Sequence, residues 1–126
     1  MTNLIVLYRL VGVLMILLAV PLAFGCVKPN PFYGFRTNRT KNDPCIWYPV
    51  NAFAGRRLLT LGFIVLISAL VLKYIPGIDS STYISLMTTL LVIGVAIMAI
   101  RCYLYLSDLW DREFGSMQKR RPWFDV

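Results

Sequence analysis

Hydrophobic and polar positions divide the chain into three long apolar runs, one long polar stretch, one tight turn and a charged tail. The runs fall at about residues 4–25, 57–75 and 82–106. A helix needs roughly 20 residues to cross a hydrocarbon core about 30 Å thick, and each run is of that order. The pattern predicts an all-α membrane protein of one domain, residues 1–126, with three transmembrane helices. A signal peptide is the competing reading of the first run, but no basic residue precedes it and Phe24 fits poorly beside Cys26 in a cleavage site. Arg9 lies near the start of that run, shallow enough to snorkel to the surface; a functional intramembrane cation is the other reading.

Pro76-Gly77 makes the tight connection between the second and third spans, and Ser80 or Ser81 is expected to cap the third helix. That helix opens with Thr82, Tyr83, Ser85, Thr88 and Thr89, three of which (Ser85, Thr88, Thr89) share a face. They are expected to bond to backbone or to a neighbouring helix, with a ligand-facing stripe as the alternative. The tail, residues 107–126, mixes Trp110, Phe114, Trp123 and Phe124 with a basic cluster, as an interfacial or partner-binding segment would.

The long polar stretch, residues 28–56, carries prolines, aromatics, amides and basic residues in a density that a simple connection does not need. Pro29 and Pro31 hold it extended. Gly34, between Tyr33 and Phe35, allows a sharp turn with both rings docked on the membrane side. Asp43-Pro44 starts a helix. Trp47, Asn51 and Gly55 then follow at i, i+4 and i+8 on one face, and Pro49 is expected to bend the helix. This predicts a short amphipathic helix lying in the interface before the second span.

Composition agrees with a membrane protein: 58% of residues are hydrophobic and the mean hydropathy is +0.66, well above a soluble chain's share of about 45–50% apolar. The net charge of +7 flanks the spans, which suits anionic lipid and argues against nucleic acid. Three spans put the 28–56 loop and the tail on one side with nearly all the Lys and Arg, leaving Arg9 and Lys73 on the other. The positive-inside rule then predicts a cytoplasmic loop and C-terminus and an external N-terminus.

Histidine is absent, and Cys26, Cys45 and Cys102 have no metal-ligand spacing, so neither metal nor cofactor is expected. Cys26 and Cys45 are read as free thiols and Cys102 as a small packing residue. Asp43 is the only acid in the loop and Cys45 lacks a base, so the chain is read as non-enzymatic. Arg39, Arg56 and Arg57 are candidate contacts to lipid phosphate, Arg36 and Arg39 by bidentate pairing.

The pattern N-x-x-x-G-x-R-T-x-x-T followed by W-x-x-x-N-x-x-x-G, here Asn30, Gly34, Arg36, Thr37, Thr40, Trp47, Asn51 and Gly55 with Tyr33 inside it, resembles the SdpI family of small bacterial membrane proteins. The resemblance extends through the three-span setting to nearly the whole chain, and corresponds to the C-terminal half of the family's named member. It implies a bacterial inner-membrane protein that confers immunity to, or senses, a secreted peptide toxin, with a transcriptional repressor or another membrane protein as partner. The alternative is a binder of anionic lipid headgroups or phosphate, or a small membrane adaptor. Two readings of the motif stand beside each other. In one its residues bind a ligand. In the other Arg36 ties loop carbonyls, Trp47 anchors in the membrane and Asn51 is a hydrogen-bonding bracket.

Overall fold

The computed structural model describes residues 2–30, 32–35 and 44–120. Among these residues three helices follow in order: α1 (Thr2–Ala23), α2 (Pro44–Val71), which runs into a short 3-10 turn (Leu72–Tyr74), and α3 (Ser80–Arg120). All three are long and apolar enough to cross a membrane.

α2 is the central helix, with α1 packed along its length and α3 along another side; α1 and α3 meet only locally. Lipid tails are as apolar as leucine, so close van der Waals packing, rather than removal of apolar surface from water, must hold these helices together. The α1–α2 seam is accordingly built of small residues. Gly12 packs onto Gly62 and Leu66, and Ala19 is fully buried. The main core cluster joins all three helices through Ile5 and Tyr8, Leu61, Val65 and Ala69, and Tyr83 and Met87. Outward-facing side chains such as Leu10, Leu17, Ile67, Val92 and Ile100 are left to lipid.

α1 ends by a Schellman motif. Cys26 N–H donates to the Pro21 carbonyl at 3.0 Å and Gly25 N–H to Leu22 at 3.1 Å, with Gly25 at φ +69°. α3 starts on Asp79, whose Oδ1 accepts the Thr82 amide at 3.1 Å. The cap is therefore the residue before the expected Ser80 and Ser81. An ionised carboxylate accepts more strongly than a hydroxyl at the positive end of a helix.

The stretch expected to form a separate interfacial helix is continuous with the second span: α2 is one helix of 28 residues with Pro49 inside it. It is about 42 Å long at 1.5 Å per residue, and α3, with 41 residues, is about 62 Å. Both exceed a hydrocarbon core of about 30 Å. The surplus of both lies at the end where the 26–35 segment sits. There a second cluster forms from Ile46, Val50 and Leu106, with Phe35, Tyr105, Leu109 and Trp110 packed against it. The first part of the expected tail is therefore a helical continuation of α3, braced by an Arg112–Asp108 ion pair at 2.8 Å. Trp123, Phe124 and the rest of 121–126 lie outside the described residues, as do the side chains of 114–120.

Candidate functional site

Asn51 holds the loop end together. It is 2% exposed, and its Oδ1 accepts the Phe35 amide at 2.6 Å while its Nδ2 donates to the Phe35 carbonyl at 3.3 Å. The same Nδ2 donates to the Trp47 carbonyl at 2.9 Å, one turn back in α2. The partners fix the amide orientation, because a flipped group would set donor against donor and acceptor against acceptor. A side chain on a helix face thus mimics a strand edge for one residue of the loop.

Gly34 makes this approach achievable. It has φ +106°, and a Cβ there would lie 2.5 Å from Asn51 Oδ1. One turn further along α2, Gly55 performs the same service for α1: a Cβ would stand 2.4 Å from the Ala23 amide nitrogen and 2.7 Å from Leu22 Cβ. Trp47 is fully buried and its Nε1 donates to the Val27 carbonyl at 2.9 Å. It packs inside the protein rather than facing lipid, unlike an anchoring tryptophan. The face predicted for Trp47, Asn51 and Gly55 therefore exists, and it is turned towards the end of α1 and the 26–35 segment.

Asn30 completes the bracket as a local turn. Its Oδ1 accepts the Phe32 and Tyr33 amides at 2.9 and 2.7 Å, and its Nδ2 donates to Lys28 O at 2.8 Å. Tyr33 donates its hydroxyl to the Leu18 carbonyl of α1. Burial raises its phenol above the ordinary value, which keeps that donor protonated. The Tyr33 and Phe35 rings flank Gly34 as expected but part company: Tyr33 goes to α1, Phe35 to the α2–α3 cluster.

Arg36, Thr37, Arg39 and Thr40 lie outside the described residues, as does Asp43. Arg56 and Arg57 are exposed on α2. The Arg57 guanidinium lies over the Phe53 ring, 5.0 Å from its centroid, and Phe53 stacks on Tyr105 of α3 at 4.4 Å. Beside Arg57, a groove of about 320 Å³ runs between α2 and α3. Arg101 lines it too; as a single cation inside the third apolar run it carries no signal in the sequence alone.

A second polar cluster lies at the other end of the bundle. Tyr8 of α1 shares a hydrogen bond with Thr88 of α3 at 2.9 Å and meets the Tyr83 ring edge-on at 5.8 Å. Tyr83 is fully buried and donates to the Ala69 carbonyl of α2 at 3.2 Å. Arg9 is half-buried within electrostatic reach of Tyr83, and its Nε is enclosed with no hydrogen-bond partner among the described residues. Of the polar opening turns of α3, Thr88 makes the helix-to-helix bond expected of it. Tyr8 was missed as its partner, since a lone tyrosine in an apolar run carries no signal of what it faces.

Among the described residues no three potential ligands gather as a metal site, and no disulfide joins Cys26 to Cys45. Cys102 is buried.

Three membrane-length helices, with the loop clamped to Asn51 of α2 at Gly34 and Phe35, define a multi-pass helical membrane protein. The SdpI/YfhL protein family matches residues 26–105, from the end of α1 well into α3, and the chain belongs to that family. Comparisons with curated proteins and with solved structures returned no match.

Proposed function

We propose that this protein is a non-enzymatic immunity or sensing protein of the bacterial cell membrane that binds a secreted antimicrobial peptide toxin within the bilayer. The N-terminus and the Pro76–Gly77 turn face outward, and the motif loop and C-terminus face the cytoplasm, in keeping with the charge asymmetry of the sequence. In that orientation the Tyr8, Arg9, Tyr83 and Thr88 cluster lies on the side from which a toxin arrives. The observation that carries the reading is Arg9 Nε, an enclosed donor with no acceptor among the described residues. Such a group has a strong demand for a partner in low dielectric, and a peptide carbonyl or C-terminal carboxylate supplies one.

The motif then has the task of building the loop end, where Asn51 has both its amide hydrogens committed to backbone. The cytoplasmic surface of that end is available to a transcriptional repressor or another membrane protein.

The test is survival of a sensitive bacterium expressing the protein and challenged with such a toxin. Wild type should protect, and Arg9→Gln should abolish protection at unchanged membrane level. Asn51→Ala should lower the protein level along with protection. Full protection by Arg9→Gln would remove the outward cluster from the mechanism, and no protection by wild type would overturn the toxin tested.

A further inference from the structure

We infer that the groove between α2 and α3 is a binding site for one anionic phospholipid, with Arg57 and Arg101 holding the phosphate and the apolar walls holding an acyl chain. Both arginines line the groove at its loop end, while Ile64, Leu90 and Ile93 line it further towards the turn end. Among the described residues no carboxylate belongs to its lining and neither arginine is ion-paired. Two like charges on adjacent helices, without a counter-ion, are stabilised by an anion between them.

Dimensions fit one leaflet. From Arg101 to Leu90 is eleven residues of α3, about 16 Å at 1.5 Å per residue, and half a hydrocarbon core is about 15 Å. The volume of about 320 Å³ is at the lower end of pockets that enclose small ligands, as expected for a slot that takes one chain and leaves the other in the bilayer. Arg57 is already oriented by the Phe53 ring beneath its guanidinium, which in turn is stacked on Tyr105. A guanidinium fixed in this way loses little freedom on forming a bidentate pair with phosphate. The site is distinct from the Arg9 cluster and does not depend on the toxin reading.

The test uses the full chain purified in a neutral detergent and titrated with phosphatidylglycerol or phosphatidylcholine, the first bound lipid being quantified by native mass spectrometry. Wild type should prefer phosphatidylglycerol, and Arg57→Gln with Arg101→Gln should reduce that preference by about 25-fold, roughly fivefold per arginine at a membrane surface. Lys28→Gln with Arg112→Gln removes the same charge from the same end but not from the groove, and should leave the preference within about twofold by that reasoning. Ile93→Trp, an exposed position on the groove wall, should evict the lipid from a protein that stays helical and monodisperse. Equal retention of the two lipids would overturn the inference. So would equal losses in the two charge-removal pairs, which would mean a diffuse electrostatic annulus, or unchanged binding in a folded Ile93→Trp.

Discussion

The Asn51 side chain and the Phe35 backbone are joined by two hydrogen bonds, N–H to Oδ1 at 2.6 Å and Nδ2 to the carbonyl at 3.3 Å, across sixteen residues of sequence. This clamp fixes the loop to α2 at the point where Gly34 lets the backbone come close, and it ties the 26–35 segment to the α2–α3 cluster that Phe35 enters. The described part of the loop, up to Phe35, is therefore built into that end of the bundle.

Asn51→Ala should destabilise the protein by about 2 kcal/mol, since buried groups that lose a partner cost about 1–3 kcal/mol each and the half-buried Phe35 regains some water. Asn51→Asp should be worse at neutral pH, because a carboxylate oxygen would then face the Phe35 and Trp47 carbonyls that Nδ2 now serves. Thermal unfolding of the purified protein in detergent, followed by loss of monodispersity, measures both. An Asn51→Asp variant as stable as wild type would show that the second half of the clamp contributes nothing.

Three glycines should rank in a definite order when changed to alanine. Gly55→Ala sets a methyl 2.4 Å from a backbone nitrogen of α1, which only movement of a helix can relieve. Gly34→Ala combines φ +106° with a 2.5 Å approach to the Asn51 side chain. Gly25→Ala has open space around it and only φ +69° to oppose it, a cost of about 1–2 kcal/mol. Gly25→Ala should therefore be the mildest of the three in the same unfolding measurement, and Gly55→Ala the most severe. A Gly55→Ala protein milder than Gly25→Ala would contradict the tight crossing of α1 and α2.

The three spans were legible from hydropathy and length because a bilayer imposes one minimum length on every helix that crosses it. The Trp47, Asn51 and Gly55 face was legible from spacing alone, since the 3.6-residue period decides which side chains align. Their partners were not. An asparagine specifies that it will bond, not that its acceptor and donor are the two ends of Phe35. The continuation of α3 beyond residue 106 was obscured because its turns leave the apolar pattern, yet Leu106, Leu109 and Trp110 keep a packed stripe against Ile46 and Val50. Arg101 was passed over for a related reason. A single cation in an apolar run acquires meaning only when a second one, Arg57, is set beside the same groove.

At the turn end, Tyr8 and Thr88 should be energetically coupled. Hydrogen bonds between membrane helices average about 0.6 kcal/mol in double-mutant cycles, so Tyr8→Phe and Thr88→Val should each lower stability slightly and the double variant should cost about that much less than their sum. Tyr83→Phe should lose a similar amount through the Ala69 carbonyl while keeping the edge-on contact with Tyr8. Equilibrium unfolding in mixed micelles gives the cycle. Strict additivity would mean that the 2.9 Å contact between the two hydroxyls holds nothing together.

The Asp79 cap should show a pH dependence of known sign. Hydrogen bonds from Thr82, the hydroxyl first and the backbone amide second, hold its carboxyl below the ordinary carboxylate value. A carboxyl depressed in the folded state contributes stability that is fully present above its unfolded value and is lost as pH falls through the folded one. Protection of the Thr82 amide against hydrogen exchange, corrected for the intrinsic rate, should therefore persist from neutral pH down to the ordinary carboxylate range and fall only below it. Asp79→Asn keeps a capping oxygen without a titrating group, so its protection should be flat over the same window. A wild-type loss centred at or above the ordinary carboxylate value would show that Thr82 does not stabilise the ionised cap, and that α3 is started by Ser80 or Ser81 after all.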